Sequence, residues 1–274
     1  MSRPVTLDPL LEEAEAALTE GDLVAAEAYC RQAIAERRML PEAHYLLGET
    51  LRDLGRLDEA EGAYRSVVLG EESPVVSDAW AALSTVLLQQ LRWEESRKAA
   101  NRALRDAPDN PEAAWVRGVL RERRGDVQGA MRDFSRAWRV DPVVFPMPQP
   151  LSDELIDEVV SECLEALHPI LRNYLANVPI LVEDFPSEDL LSQYDPPAGP
   201  TQILGYFAGT SLADRSLENP WSNLPATIVL FRTNLQRRAQ DREGMLEELR
   251  ITLFHEVGHF LGLSEEDLED RGLD

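Results

Sequence analysis

The sequence predicts a chain of two parts, an all-α helical-repeat solenoid followed by a small α+β domain. A pattern of small and large residues recurs every 34 to 36 positions through the first half of the 274 residues. A proline-rich stretch then interrupts the helical pattern, and the residues beyond it combine strand-like runs with helical runs. We therefore expect repeats in residues 1–142, a linker in residues 143–152 and a second domain in residues 153–274.

Each repeat is predicted to be two helices joined by a tight turn, and about four units align on one turn position. That position holds glycine in three units and leucine in one: Gly21, Gly55, Leu91 and Gly125. Small residues recur where the two helices of a unit must approach closely: Ala14, Gly48, Ser84 and Gly118 in the first helix, Ala26, Ala60, Ser96 and Ala130 in the second. Aromatic residues are expected to fill the remaining space: Tyr29, Tyr64 and Phe134.

By its period and by this residue pattern, the region of residues 7–142 resembles the tetratricopeptide repeat. The resemblance implies a curved solenoid whose concave face binds a peptide or a partner protein; a solenoid that is only a scaffold is the alternative. Arg117, Arg121 and Arg124 fall on one face of a predicted helix. We favour a solvated face for them, and a clamp for an acidic peptide or a carboxylate is the second hypothesis.

Composition excludes several classes of partner. The chain has 27 basic and 50 acidic residues, a net charge of −23, of which −16 falls in residues 143–274. Such a charge repels nucleic acid and anionic membranes. No apolar run is long enough to span a bilayer and no apolar signal core opens the sequence, so we expect a cytoplasmic protein. Cys30 and Cys163 fall in different predicted domains and are expected to be buried thiols.

The second domain is predicted to begin with Ser152 as the N-cap of a long amphipathic helix that is bent at Pro169. His168 lies on this helix, where a structural role is favoured over metal binding. Three strand candidates follow, at residues 179–184, 202–207 and 226–231. A last long helix begins near Arg242 and runs through "LFHEVGHFLG".

This last helix contains the pattern His-Glu-x-x-His at His255, Glu256 and His259. Histidines four residues apart project from the same helix face, so both imidazoles can bind one Zn²⁺ ion at about 2.1 Å. Glu256 points beside the pair, where a carboxylate can take a proton from a water molecule and later deliver it to a leaving amine. The sequence therefore predicts a zinc site with Glu256 as catalytic base.

A hydrolytic zinc site needs a third protein ligand. Gly262 can end the helix in a left-handed conformation and turn the chain back toward the metal. The tenth residue after His255 is Glu265, which we expect to be the third ligand. Glu266 and Asp267 are alternatives, and an upstream ligand such as Asp195 or Glu218 stays open. Ser264 and Asp267 also form a capping-box pattern, which would explain these acidic residues without any metal.

The segments "ILGYFAGTSL", "LPATIVLFRTNL" and "EELRITLFHEVGHFLGLSEEDL" resemble the minimal zincin family of small metallopeptidase-like proteins, over residues 150–270. The resemblance implies a zincin-like fold, zinc ligands at His255 and His259, and Glu256 as base. It implies the third ligand at the tenth position, aspartate in that family and Glu265 in this chain. It also implies that strand 226–231 is the edge strand that pairs with an extended peptide.

Tyr206 could point at a tetrahedral oxyanion in such a fold, but packing in the core is the favoured interpretation. Together these features predict a zinc-dependent metallopeptidase with a repeat module that binds a protein or peptide. The alternative is a non-catalytic interaction scaffold whose zincin-like domain binds zinc for stability only or is degenerate. A third option is an amidase that acts on a non-protein carbonyl. The sequence does not predict the oligomeric state.

Overall fold

A computed structural model describes residues 9–36, 40–70, 72–194, 197–214 and 224–270. The backbone divides into two compact units, Met1–Asp141 and Pro142–Asp274. Consecutive helical hairpins make up the first unit, and helices around a small sheet make up the second, which confirms the predicted fold class. Among the described residues, no helix is long and apolar enough to cross a membrane.

The first unit consists of helices that pack in sequential pairs. Their bounds are α1 Pro9–Glu20, α2 Leu23–Glu36, α3 Pro41–Asp53, α4 Leu57–Val68, α5 Val76–Gln89, α6 Trp93–Asp106, α7 Pro111–Glu122 and α8 Val127–Val140. The turn within each pair falls on the aligned position, where the backbone is left-handed: φ is 79° at Gly21, 73° at Gly55, 60° at Leu91 and 78° at Gly125. Glycine adopts this conformation without strain, whereas leucine at the third turn does so at a cost of about 1 kcal/mol.

The small positions of the repeat make room for aromatic rings, as the sequence pattern predicts. A Cβ atom added to Gly48 would lie 2.5 Å from the ring of Tyr64, and one added to Gly118 would lie 2.6 Å from the ring of Phe134. Both rings are fully buried. Each ring therefore occupies the space that a side chain at the facing glycine would need, which fixes how closely the two helices approach.

Two of the three arginines bind a buried acid, a role that the sequence did not predict. Arg117 donates two hydrogen bonds to the carboxylate of Asp133, at 2.8 and 2.6 Å, and Arg121 donates a third at 2.8 Å. Asp133 is only 2% exposed, so these arginines neutralise a buried acid within the last repeat. Arg124 is ion-paired with Glu94 of the preceding unit. Arg117 and Arg121 thus stabilise the last repeat, whereas Arg124 lies on the exposed face that the sequence predicts.

The second unit contains shorter elements. Their bounds are α9 Asp153–Ala166, α10 Pro169–Leu175, β1 Ile180–Glu183, α11 Glu188–Leu191, β2 Gly205–Ala208, β3 Thr227–Phe231, α12 Arg232–Arg238, α13 Arg242–Leu261 and α14 Glu265–Glu269. The long bent helix predicted through Pro169 is in fact two helices, because Leu167 is extended. His168 is the N-cap of the second one: its Nδ1 accepts a hydrogen bond from the backbone N–H of Ile170. This is the structural role that the sequence favoured.

The sheet has the strand order β1-β3-β2, with β1 parallel and β2 antiparallel to β3. The expectation that strand 226–231 lies at the edge is therefore wrong, because β3 is hydrogen-bonded on both sides. The edge strand beside α13 is β2. Residues of β3, α9 and α13 form one buried core: Ile156, Val159, Cys163, Ile228, Leu230, Leu249, Leu253 and Val257. Cys30 is buried in the first unit, so both cysteines are buried free thiols, as predicted.

Candidate metal centre

The helix α13 places the two histidines of the motif on one face. It begins at its N-cap Asp241, whose side chain accepts a hydrogen bond from the N–H of Gly244 at 2.8 Å. The helix runs for 20 residues to Leu261, and its C-cap Gly262 has a φ of 96°, the left-handed conformation that the sequence predicts. Buried apolar residues on the other faces hold the helix against the sheet, so His255 and His259 point away from the core.

Three donor groups converge beside α13. The Nε2 atoms of His255 and His259 are 2.9 Å apart. The carboxylate of Glu265 lies 3.5 Å from the first of these nitrogens and 3.3 Å from the second. One ligand atom from each residue falls within 4.8 Å of the others, and this is the cluster that could hold a metal ion among the described residues. Two imidazole nitrogens and one carboxylate oxygen are ligands that suit Zn²⁺.

The orientation of His259 also fits metal binding. Its Nδ1 lies 3.2 Å from the carbonyl oxygen of Leu263, which can accept the N–H proton of the ring. The proton is then on Nδ1, and the lone pair of Nε2 is directed at the other two donors. The side chains of His255 and His259 are 22% and 24% exposed, so both rings are held by their surroundings while their Nε2 edges stay accessible.

The C-terminal segment returns to α13 because of contacts that are close in sequence. After Gly262, the N–H of Leu263 bonds to the carbonyl of Gly258 at 3.0 Å. Leu268 of α14 is fully buried, and a Cβ atom added to Gly258 would lie only 2.4 Å from it. The small residue inside His-Glu-x-x-His is therefore needed for the packing of Leu268. That packing brings Glu265 to the histidines.

The structure distinguishes between the acidic residues that were alternatives for the third ligand. Asp267 accepts hydrogen bonds from the backbone N–H and the hydroxyl of Ser264, at 3.0 and 2.7 Å, and so completes the predicted capping box. Glu266 is exposed and lies outside the donor cluster. Asp195 and Glu218 fall outside the described residues. Glu265 is the first residue of α14 and also reaches the histidines, so its position at a helix start and its approach to the donors are compatible.

Glu256 is the buried acid of the site. Its side chain is 5% exposed, and burial together with the nearby charge of Glu265 raises its pKa to about 8. The N–H of Phe207 on β2 donates a hydrogen bond to the carboxylate and partly offsets this increase. A Cβ atom added to Gly205 would lie 3.0 Å from Oε1 of Glu256, so the glycine lets β2 pass close over the acid.

A cleft runs along β2 and exposes the donor cluster. Its lining includes His255, Glu256, His259 and Glu265, as well as Tyr194 and Tyr206. On β2, Gly205 and Phe207 face α13, where the ring of Phe207 meets the edge of Phe260 with centroids 6.1 Å apart. Because side chains alternate along a strand, Tyr206 leaves β2 from the opposite face. Tyr206 therefore borders the cleft without belonging to the core that faces α13.

Sequence reasoning missed Tyr194. It lies shortly after α11, in a loop with no periodic pattern, and no motif connects it to the histidines. Only the folded structure brings it to the cleft. The neighbourhood of polar and acidic residues in this loop gave no signal that could have singled it out.

Helical hairpins followed by an α+β unit with a histidine-carboxylate donor cluster define a helical-repeat protein with a candidate metal centre. Residues 11–75 and 81–142 match the tetratricopeptide repeat family, and residues 175–273 match the zincin-like metallopeptidase family. The chain thus carries tetratricopeptide repeats in its N-terminal region and a zincin-like metallopeptidase domain in its C-terminal part. A comparison with curated proteins gives no match.

Several solved structures are similar to part of the chain. YrrB, described as a TPR protein with an unusual peptide-binding site, is 21% identical, with 49% of this chain and 68% of that chain covered and a TM-score of 0.41. MamA is 16% identical, with 60% and 88% covered and a TM-score of 0.41. PilF of Pseudomonas aeruginosa is 18% identical, with 57% and 68% covered and a TM-score of 0.45.

Proposed function

We propose that the protein is a zinc-dependent metallopeptidase whose tetratricopeptide repeats bind a peptide or protein partner. The observation that supports this most directly is the convergence of His255, His259 and Glu265 beside the buried carboxylate of Glu256. Structural zinc sites usually have four protein ligands, whereas catalytic sites have three and keep one position open. Three donors next to a buried carboxylate that can act as a base are typical of the catalytic kind.

When bound, zinc would act as a Lewis acid that lowers the pKa of water and polarises a carbonyl group. The residues of the chain would move the protons. Glu256 takes a proton from the attacking water and later delivers it to the nitrogen of the leaving amine. The pKa of Glu256 is raised in the metal-free protein by burial and by the charge of Glu265. A zinc ion bound beside it would lower this pKa and favour the ionised carboxylate that accepts the proton.

The edge strand positions this acid. The N–H of Phe207 holds the carboxylate of Glu256, and the glycine at 205 prevents a clash between β2 and the acid. The buried amide of Asn234 donates hydrogen bonds to the carbonyls of Pro200 and Ile203, at 3.0 and 2.7 Å, and so fixes the segment that leads into β2. These contacts leave the carboxylate few alternative orientations, as a proton-transfer group requires.

One observation favours the second candidate, a non-catalytic interaction scaffold. The side chain of Glu265 is 72% exposed and starts a helix of five residues, so the third ligand is held less firmly than the histidines. A degenerate site that binds metal weakly, or for stability alone, would have such a ligand. The two candidates differ in whether Glu256 matters for any activity.

The test is to measure zinc content and peptide hydrolysis together in the full-length protein. We expect one zinc per chain and hydrolysis of a mixed peptide library by the wild type. Glu256→Gln should keep the zinc and lose about 10²- to 10⁴-fold in rate, the usual contribution of a general base. Glu265→Ala should lose zinc affinity, whereas Glu266→Ala should not.

Glu247→Gln is the matched control, since Glu247 lies on the same helix and its side chain is 62% exposed. Hydrolysis by a zinc-loaded Glu256→Gln variant at the wild-type rate would refute the proposed mechanism and favour the scaffold. Small amides tested beside the peptides would identify an amidase, since that enzyme would cleave the amides alone.

A further inference from the structure

Tyr194 is placed to act on a substrate in the cleft. It lies three residues beyond the end of α11 and lines the same cleft as His255, His259 and Glu265. The residue is 45% exposed, so its phenol is neither packed into the core nor free of the protein. A half-exposed tyrosine at a cleft wall offers one O–H donor to whatever occupies the cleft.

The electrostatic surroundings of this phenol include the two acids of the candidate site. Partial burial, followed by the charges of Glu256, Tyr206 and Glu265, raises the pKa of Tyr194 above its usual range. Its phenol is therefore within the influence of both the predicted base and the predicted third ligand. A phenol is protonated at neutral pH even at its ordinary pKa of about 10, so Tyr194 can donate a hydrogen bond.

Two serine hydroxyl groups at the cleft are already engaged. The hydroxyl of Ser211 donates to Asp214 at 2.5 Å, and the hydroxyl of Ser264 donates to Asp267 at 2.7 Å. Tyr206 leaves β2 on the face opposite to α13, because its neighbours Gly205 and Phe207 occupy the near face. Of the two tyrosines at the cleft, Tyr194 is the one whose approach to the donor cluster is not opposed by strand geometry.

We propose that Tyr194 is a catalytic residue that donates a hydrogen bond to the oxyanion formed when water adds to the substrate carbonyl. This inference rests on the proposed peptidase function. In the addition step, a bond forms between the water oxygen and the carbonyl carbon, and the π electron pair moves to the carbonyl oxygen. Glu256 holds the proton that the water released. In the collapse step the oxyanion pair re-forms the carbonyl double bond and the carbon–nitrogen bond breaks. The electron pair of that bond leaves with the nitrogen, which receives the proton from Glu256.

Tyr194 neither gains nor loses a proton in this sequence. Its O–H group stabilises the negative charge on the carbonyl oxygen, and this charge exists only between addition and collapse. The hydrogen bond therefore lowers the barrier and leaves the binding of the uncharged substrate nearly unchanged. A purely structural tyrosine would not discriminate between a planar ligand and a tetrahedral anion.

The experiment measures this discrimination without requiring a known substrate. The full-length protein is loaded with Co²⁺ in place of zinc, and its visible absorption is followed during titration with two small probes. Methylphosphonate is a tetrahedral anion, and acetohydroxamate is planar. In Tyr194→Phe we expect methylphosphonate to bind about tenfold more weakly, as for a lost hydrogen bond to a charged group, and acetohydroxamate to bind within about twofold of wild type. On any peptide that is cleaved, kcat should fall while KM stays constant.

Tyr174→Phe is the matched control, because Tyr174 is a comparably exposed tyrosine on α10 that does not line the cleft. Equal binding of methylphosphonate by Tyr194→Phe and wild type would overturn the assignment, as would a selective loss in Tyr206→Phe instead. Failure of the cobalt-loaded wild type to bind either probe would overturn it too. If the selective loss occurs but no peptide is cleaved, the role of Tyr194 as an oxyanion donor stands and the proposed peptidase function falls.

Discussion

The buried position of Glu256 should make the metal-free protein more stable when this acid is replaced by glutamine. The folded-state pKa is about 8, compared with an ordinary value of 4.5. A carboxyl group with a raised folded-state pKa contributes its full stability below the unfolded pKa, and this stability is lost as the pH rises through the folded pKa. The free energy of unfolding of the wild type should thus fall between about pH 4.5 and 8, and that of Glu256→Gln should not.

The magnitude follows from the pKa difference. Each pKa unit corresponds to about 1.4 kcal/mol, so at pH 7 the wild type should lose about 3 kcal/mol relative to pH 4. At pH 5 the loss should be about 1 kcal/mol. Glutamine keeps the oxygen that accepts from the N–H of Phe207, but its own buried N–H groups cost about 1 kcal/mol if they find no partner. A net gain of about 2 kcal/mol is expected at pH 7 and a net loss of about 1 kcal/mol at pH 4.

The two cysteines provide an assay for each unit separately. Cys163 lies in the core around α13 and is 4% exposed, whereas Cys30 is fully buried in the repeats. Urea unfolding in a chelator is followed by thiol labelling, and mass spectrometry identifies which cysteine reacts. At pH 7 the urea midpoint for Cys163 should rise by about 1 M in Glu256→Gln, and the midpoint for Cys30 should not change.

Glu265→Gln is the informative control, because the charge of Glu265 is the second cause of the raised pKa. This variant should also raise the midpoint at Cys163, but by less than Glu256→Gln. Equal midpoints for wild type and Glu256→Gln from pH 4 to 8 would refute the reasoning, since they would show that the acid is not destabilised by burial.

Three further predictions concern backbone conformation, packing and ion pairs. Gly125→Ala should lower the free energy of unfolding by about 1 kcal/mol through backbone strain alone, because φ is 78° and a Cβ atom there meets nothing within 4 Å. Gly62→Ala, within α4, should raise it by about 0.5–1 kcal/mol. Changes of the same sign in urea unfolding would contradict this prediction. Gly258→Ala should displace Leu268 and weaken zinc binding in a chelator competition, and unchanged affinity would contradict the packing argument. Asp133→Ala should destabilise the repeats by about 2–3 kcal/mol, because it removes the charged hydrogen bonds from Arg117 and Arg121. The loss is measured at Cys30, and a loss below about 1 kcal/mol would refute this.

Features that depend on residues near each other in sequence could be predicted. The left-handed turns at Gly21 and Gly125 follow from the repeat because a two-helix unit needs the same turn each time. Likewise, the capping box of Ser264 and Asp267 and the turn at Gly262 are local in sequence, and both are found in the structure. For the same reason the approach of Glu265 to the histidines follows from the spacing of these residues along the chain.

Features that depend on the order of the strands could not be predicted from the sequence. A hydrophobic run such as residues 226–231 predicts a strand but carries no information on its neighbours, so its central place between β1 and β2 was missed. The partners of Arg117 were missed for a similar reason, since Asp133 lies on the next helix and its burial follows from how α7 and α8 pack. Tyr194 reaches the cleft through a loop whose path no periodicity encodes.

The assembly of the donor cluster by short-range contacts explains why so few residues suffice for it. His255, His259 and Glu265 lie within eleven residues, so bringing them together closes only a small loop and costs little chain entropy. Leu268 then anchors the segment in the space beside Gly258. The extra methylene of glutamate at position 265, relative to aspartate, needs no rearrangement elsewhere, because α14 begins at that residue and its side chain is not confined by the core. The one long-range requirement is β2, which must cross Glu256 at Gly205, and this is why the acid is the part of the site whose burial costs stability.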